Sequence, residues 1–418
     1  MFSKSGLIDE IRARFAHVDN CPFQGDRVFF ENAGGALTLK SAVVTSTFYS
    51  AIPDNQGRDN VAAAKLMQVI AKAKDDMALM FNAPYGHFFV GESGTELLFR
   101  MIRTAVVESA EGGNVVGSSL EHPATRSAAI RWAGITGKQY VSVPHNVETG
   151  SVLAEDYAPL ISSDTRVATI LHTSPVTGMA VDVAAVAAVI RARAPKCLII
   201  VDGIQHAAHG QLDLAAYGVD GYAVSPYKVF SRHGYGVAWV SGRLASMDHD
   251  MLINGPAESW ELGTRDTGAY ATFSDVVDYF DWLGSQVCNS KDRRERIVAA
   301  GTAIHKHEKD LTDAMLHGVG NLKGVADLDG VSVIGGVDNP LREGLVSLTV
   351  KGKTGQEVVA ALNDQGIRTH VRKADHYSGN ILDPLGLQTC VRVSMCHYNT
   401  EAEVALFLGV MQGIAAEG

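Results

Sequence analysis

Four short polar clusters carry the side chains from which a reaction could be built. Lys228 ends the stretch Ser225-Pro226-Tyr227-Lys228, at the close of the apolar run DGYAVS. A lysine held in partly dry surroundings near other cations gives up its proton more easily, and the free amine attacks aldehydes. Asp202 ends the run KCLIIVDG, with Gln205 three residues on. A carboxylate placed after five apolar residues is costly to bury unless a positive partner meets it. Glu121-His122-Pro123 follows NVVGSS and places an imidazole at the same kind of position. Glu92-Ser93-Gly94-Thr95 follows HFFVG and opens a helix, where free amide groups and the helix dipole suit a phosphate. Singly, each cluster also has a plain structural reading: a satisfied histidine, a capping aspartate, a surface lysine, an N-cap. The signal lies in their order and spacing.

Ligands in a doubly wound sheet gather at the carboxyl ends of the strands, so the elements before these clusters matter. From about residue 29 to 240, short apolar runs bounded by Gly, Asn or Asp alternate with Ala-rich helical stretches, the rhythm of a βαβ sheet. The expected strands are HFFVG, NVVGSS, QYVSV, RVATILHT, KCLIIVDG, DGYAVS and YGVAWVS. ATIL and CLIIV, nearly all apolar, read as central strands buried on both faces. Helices are expected over Thr95 to Val107, Ala124 to Trp132 and Val183 to Arg193, and a short amphipathic one near the N-terminus. After about residue 272 comes one long helical region, Asp275 to Leu316. The strands SVIGG, LVSLTV, IRTHVR and TCVRVSM and a closing helix from Thr400 then complete an α+β unit. The expected division is residues 1–20 as a helix packing with the small domain, 21–275 as the large domain and 276–418 as the small domain.

Composition removes other classes. The 418 residues are 46% apolar and 20% charged with a formal charge of −10, which speaks for a folded chain and against a phosphate-neutralising nucleic-acid surface. No window reaches the roughly 20 apolar residues of a membrane span. Five cysteines, Cys21, Cys197, Cys288, Cys390 and Cys396, never fall in a CxxC spacing, so a reducing, cytoplasmic setting is expected and no metal is. His305-Lys306-His307 reads as solvated surface, because such spacing does not share a helix face. No GxGxxG follows the first strand, which removes a dinucleotide site.

The stretch from Val201 to Ser241 resembles the lysine segment of the class V aminotransferases, fold-type I enzymes that use pyridoxal 5′-phosphate (PLP) and include the cysteine desulfurases and isopenicillin-N-epimerase-like proteins. FFENAGG resembles the family's substrate loop, ESGTE its phosphate loop, EHPA its ring-stacking histidine, WELGTRDTG the segment reaching a partner subunit's site, and VRVSMCHYNTEAEV the carboxylate motif. The resemblance implies an α/β fold with a mostly parallel seven-stranded sheet and a small α+β C-terminal domain. It also implies a homodimer with shared sites acting on a small amino acid. Lys228 would carry the cofactor as a Schiff base, Asp202 would meet the ring nitrogen and His122 the ring face. Gln205 would meet the phenolic oxygen, and Ser93, Gly94, Thr95, Ser225, Tyr227 and the partner's Thr264 would surround the phosphate. Arg392 would grip the substrate carboxylate, beside Asn32 and Gly34, its two-pronged guanidinium suiting that planar group.

Three positions depart from the desulfurase pattern. Tyr377 stands where the reactive cysteine would be, Pro175 where an asparagine is usual, and Tyr227 where histidine is frequent. Strand alternation is expected to put Cys390 and Cys396 on the same face as Arg392, so a sulfur role stays open beside the plainer one of small buried hydrophobes. Transamination ranks first among the reactions, β-elimination second, and epimerisation or desulfuration third. A non-catalytic partner protein is the reading from another class.

Overall fold

The computed structural model describes residues 1–417. Seven strands form the central sheet: β1 (His87–Gly91), β2 (Asn114–Ser118), β3 (Gln139–Val143), β4 (Thr165–Leu171), β5 (Leu198–Asp202), β6 (Gly221–Val224) and β7 (Gly236–Val240). Their spatial order is β1-β7-β6-β5-β4-β2-β3. β7 runs antiparallel to both neighbours and every other pairing is parallel. All five residues of β5 are buried, as its unbroken apolar sequence requires of a strand covered on both faces. The expected α/β class and seven-stranded sheet are what the molecule has.

Helices α1 (Leu7–Arg12), α2 (Lys40–Ser50), α3 (Val61–Phe81), α4 (Gly94–Glu108), α5 (Pro123–Ile135) and α6 (Val183–Arg193) precede a long antiparallel pair, α7 (Thr267–Val287) and α8 (Arg293–His317). One helical region was expected here. The chain instead breaks after Val287 and restarts with the Asp292 side chain accepting the Glu295 N–H. The pair packs closely at Gly284, where a Cβ would lie 1.9 Å from the Arg296 carbonyl oxygen. α7 runs through residue 275 unbroken, and its buried Phe273, Phe280 and Leu283 share one core with the sheet and with Leu7 and Ile11 of α1.

A second sheet, β8 (Val331–Val333), β9 (Leu345–Val350), β10 (His370–Lys373) and β11 (Thr389–Ser394), is antiparallel in the order β8-β9-β11-β10. α9 (Gly355–Asp364) and α10 (Glu401–Ala416) accompany it, the latter opened by a Thr400–Glu403 capping box. The run SVIGG extends only to Val333, because Gly335 and Gly336 turn the chain at φ of 82° and 78°. IRTHVR divides: Ile367–Arg368 pairs in parallel with Val28–Phe29, and His370 onward joins the antiparallel sheet. α8 joins both parts, with Ile297, Ala300 and Ile304 in the large core and Leu311, Met315 and Leu316 in the small one.

Candidate active site

The ends of β1, β2, β5 and β6 converge on a pocket lined by Thr95, His122, Leu171, Pro175, Asp202, Ile204, Gln205, Ser225, Tyr227 and Lys228. All four polar clusters of the sequence meet there. At one end stands the first turn of α4, whose leading N–H groups have no intrahelical partner. The Ser93 hydroxyl caps this helix by accepting the Glu96 N–H at 3.1 Å, and the Thr95 side chain faces the pocket. Gly94 is required: a Cβ there would lie 2.4 Å from Ser225 Oγ and 2.6 Å from Ile204 Cδ1. Tyr227 stacks on His233 with ring centroids 4.3 Å apart and packs against Gly35.

Lys228 occupies the middle. Its Nζ donates to Gln205 Oε1 at 3.4 Å. Burial, reinforced by the charge of Arg392, lowers its pKa to about 8. Phe230, two residues on, takes a φ of 64°, a strained value for a bulky residue, which turns its ring into the core against Phe280 and Tyr279. Asp202 is buried, accepts from Thr125 Oγ1 and from the Ile204 N–H, each at 3.1 Å, and has its pKa raised by burial. Glu121 lies fully buried beside it, and burial followed by the Asp202 charge pushes its pKa up to about 8. Glu121 therefore favours its protonated form at neutral pH, which spares Asp202 a second buried charge at its side. His122 is the N-cap of α5, its Nδ1 accepting the Ala124 N–H at 3.2 Å. Burial, with Lys228 and Arg372 nearby, drives its pKa down to about 3, so the ring is neutral.

The other end belongs to the small sheet. Cross-strand register pairs His370 with Arg392 and Arg372 with Cys390, so all four side chains share one face. Arg392 is buried, donates through Nη1 to the Pro175 carbonyl at 2.9 Å, and leaves Nε without a partner among the described residues. A Cβ on Gly34 would stand 3.6 Å from its Nη2. A buried guanidinium with an unused N–H fork suits an incoming carboxylate. Arg372 is held by Ser378 Oγ at 2.8 Å and the Tyr377 carbonyl at 3.3 Å, and makes no ion pair among the described residues. Its charge acts on His122, Lys228 and Arg392. Sequence reasoning gave Arg372 no role, because its place beside the Arg392 strand comes from sheet pairing, which local pattern does not report. Tyr377 is exposed at the pocket mouth, 6.4 Å from the His122 ring.

The arrangement fits PLP: a helix start for a phosphate, an acid for a ring nitrogen, a flat neutral ring, an amine of lowered pKa and an unsatisfied guanidinium. The family model described as Aminotransferase class-V matches residues 28–407. The chain belongs to the class V aminotransferases. It is a PLP-dependent enzyme, a transaminase or a lyase. A relative, the Cysteine desulfurase-like protein ustD of Aspergillus flavus, is 27% identical over 93% of this chain and 88% of its own. The Aminotransferase-like protein FGM3 of Gibberella zeae is 25% identical over 97% of both chains. The apo structure of a cysteine desulfurase from Thermococcus onnurineus NA1 has the same fold, with a TM-score of 0.80 at 20% identity over 94% of this chain and 95% of that one.

Against this class V frame several expectations change. Cys396 lies beyond the end of β11, its N–H donating to Asn399 Oδ1 at 2.9 Å, and so does not share the face of Cys390 and Arg392. Burial pushes the Cys390 thiol up to about 11 and holds the Cys396 thiol well above its ordinary value, so neither is a thiolate at neutral pH. His307 is not solvated: it is buried, 3.0 Å from the Asn399 carbonyl and stacked on Phe2. The Asn32 amide is engaged by the Ser394 carbonyl, Asn399 and Tyr398, which fixes the segment around Asn32 to the end of β11. Thr264 is exposed and outside the pocket of its own chain. No helix among the described residues is long and apolar enough to cross a membrane.

Proposed function

We propose that this enzyme carries PLP on Lys228 and acts at the α-carbon of an amino acid, with transfer of the amino group as the outcome. When bound, the cofactor supplies an aldehyde for an amine and a ring that withdraws electrons from the α-carbon. The carrying observation is Lys228, an amine with pKa lowered to about 8 between a phosphate cradle and a buried arginine. Thr95, Gly94, Ser93, Ser225 and Tyr227 would hold the phosphate, Asp202 the ring nitrogen, His122 the ring face and Gln205 the phenolic oxygen. Arg392 binds the substrate carboxylate and Gly34 leaves it room. Lys228 would then take the proton from the α-carbon and deliver it to the cofactor's aldehyde carbon rather than back to the α-carbon, in a setting where His122 stays neutral and does not compete. A β-elimination is the second reading, supported by Arg372 and Tyr377 at the mouth, where a substituent on the β-carbon would emerge. Desulfuration through a chain thiol is disfavoured by Tyr377 and the buried state of Cys390.

The site is proposed to be completed in a homodimer. Val43, Val44 and Phe48 of α2 and Leu252 and Ile253 before α7 are exposed, more apolar surface than a lone chain keeps without use. Thr264, exposed, would face the partner's phosphate. Light scattering is expected to give twice the chain mass; a monomer that is fully active would end the proposal.

The deciding experiment is an absorbance spectrum with a panel of amino acids, using Lys228→Ala as control. A band near about 420 nm that the variant lacks is expected, moving to about 330 nm as a keto acid is released. Ammonia and keto acid produced with the first band retained would favour elimination. A protein that stays colourless with added PLP would overturn the assignment of Lys228.

A further inference from the structure

Behind Lys228, a line of polar side chains runs from the pocket to the boundary of the two cores. Lys228 Nζ donates to Gln205 Oε1 at 3.4 Å, Gln205 Nε2 stands 3.3 Å from His209 Nε2, and His209 Nδ1 stands 2.7 Å from Glu308 Oε2 on α8. Gln205, His209 and Glu308 are buried. With Glu308 ionised, the inventory of donors allows two arrangements. With its one proton on Nδ1, His209 donates to Glu308 and accepts a Gln205 N–H, which leaves the amide oxygen facing Lys228. With protons on both nitrogens, Nε2–H needs an acceptor. The Gln205 amide then turns over, offering its oxygen to His209 and its N–H groups to the pocket, within the same volume.

We infer that His209, held by Glu308, is a positioning residue whose protonation decides whether Gln205 presents an acceptor or a donor to the pocket. The inference rests on Gln205 being the partner of the cofactor's phenolic oxygen. A protonated Lys228 requires the acceptor and a phenolate oxygen requires the donor, so PLP binding draws a proton onto His209. The surroundings permit this. Burial works against a charged ring, but Glu308, and then Glu343 from the segment before β9, outweigh it and hold the His209 pKa above its ordinary value, with Lys228 opposing. His206 is paired with Glu343 at 2.8 Å. Cys396 Sγ lies within 4.8 Å, and the His209 charge acts on buried His397. Glu308 sits on the helix that joins both cores, so the small unit reaches the pocket through this line.

The test uses the full-length protein and measures proton uptake on PLP binding, by calorimetry in buffers of different ionisation enthalpy. The variants are His209→Gln, which keeps hydrogen bonding but cannot titrate, His209→Phe and Glu308→Gln. Wild type is expected to take up about one proton more than His209→Gln, and the pH dependence of its PLP affinity to be steeper by about tenfold per pH unit above the His209 midpoint. Glu308→Gln is expected to move that midpoint to lower pH, and His209→Phe to weaken PLP binding by about tenfold or more, as for a lost hydrogen bond to a charged group. Thermal midpoints near wild type for His209→Gln and Glu308→Gln keep the comparison readable if His209→Phe does not fold. Equal proton uptake in wild type and His209→Gln, with PLP bound in both, overturns this inference alone. A wild type that binds no PLP overturns the assignment of the pocket and this inference with it.

Discussion

Arg392 and Arg372 are two cations on one face of a small sheet, and their surroundings separate their duties. Arg392 is buried with an unused Nε, so its removal leaves an incoming carboxylate buried and unpaired, at a cost of about 2 kcal/mol or more. Arg392→Gln is expected to raise KM for the amino acid by about 30-fold or more. Arg392→Lys should recover only part of this, because a point charge does not match a planar carboxylate. Arg372 is partly exposed and already donates to Ser378 and Tyr377, so Arg372→Gln should cost a smaller factor, about three- to tenfold. Steady-state KM and kcat for each variant check this; an unchanged KM in Arg392→Gln would remove it from the substrate site. Arg392 was legible from the motif around it. Arg372 was not, because its approach depends on which strand neighbours β11, a fact of pairing rather than of local pattern.

At the scale of elements, the pocket depends on how closely α4 can approach β7. A Cβ on Gly236 would lie 2.5 Å from the Ser93 carbonyl carbon and 2.6 Å from the Gly94 nitrogen, both backbone atoms that cannot rotate aside. Gly236→Ala must push the helix start off the sheet, at about 1–3 kcal/mol, and spoil the phosphate cradle with it. Gly134, near the end of α5, has open space where a Cβ would go, and Gly134→Ala should stabilise by about 0.5–1 kcal/mol. Thermal midpoints and PLP retention on dialysis check the pair; the expected result is loss of both in Gly236→Ala alone. The seven sheet strands were readable because each is a short apolar run ending in a polar residue. The break between α7 and α8 was less so, since the residues before Asp292 do not contradict helical spacing and only the antiparallel packing at Gly284 requires a turn.

Across the whole molecule, burial of histidines sets the response to acid. His172, His307 and His397 are buried, and desolvation holds all three below their ordinary pKa, His307 at about 4. Below the ordinary value of about 6.5, the unfolded chain takes up protons on these rings that the folded chain refuses, so stability falls as pH falls. At about pH 5 each contributes a loss of at most about 2 kcal/mol. His209, raised by Glu308 despite burial, works the other way: its contribution to stability is fully present below its unfolded pKa and is lost as pH rises through its folded one. Burial lowers His122 and His145 as well, so five rings stand against one, and the thermal midpoint of the apoprotein should drop between about pH 7 and pH 5. A flat profile over that range would mean that these rings accept protons without unfolding.

The sequence by itself determined the class of fold, the family, and the strand ends that carry Lys228, Asp202, His122 and Thr95, because a strand's apolar run and the polar residue that stops it are adjacent in the chain. It also put Tyr377 at the position where the resemblance to the desulfurases would place a thiol. Only the tertiary structure decided that Glu121 lies buried beside Asp202 with its pKa pushed up to about 8, that Cys396 falls beyond its strand, that His307 is buried, and that His209 and Glu308 line up behind Gln205. Each of these depends on the distance between residues far apart in the chain. Desolvation and Coulomb energy follow that distance, and sequence spacing does not report it.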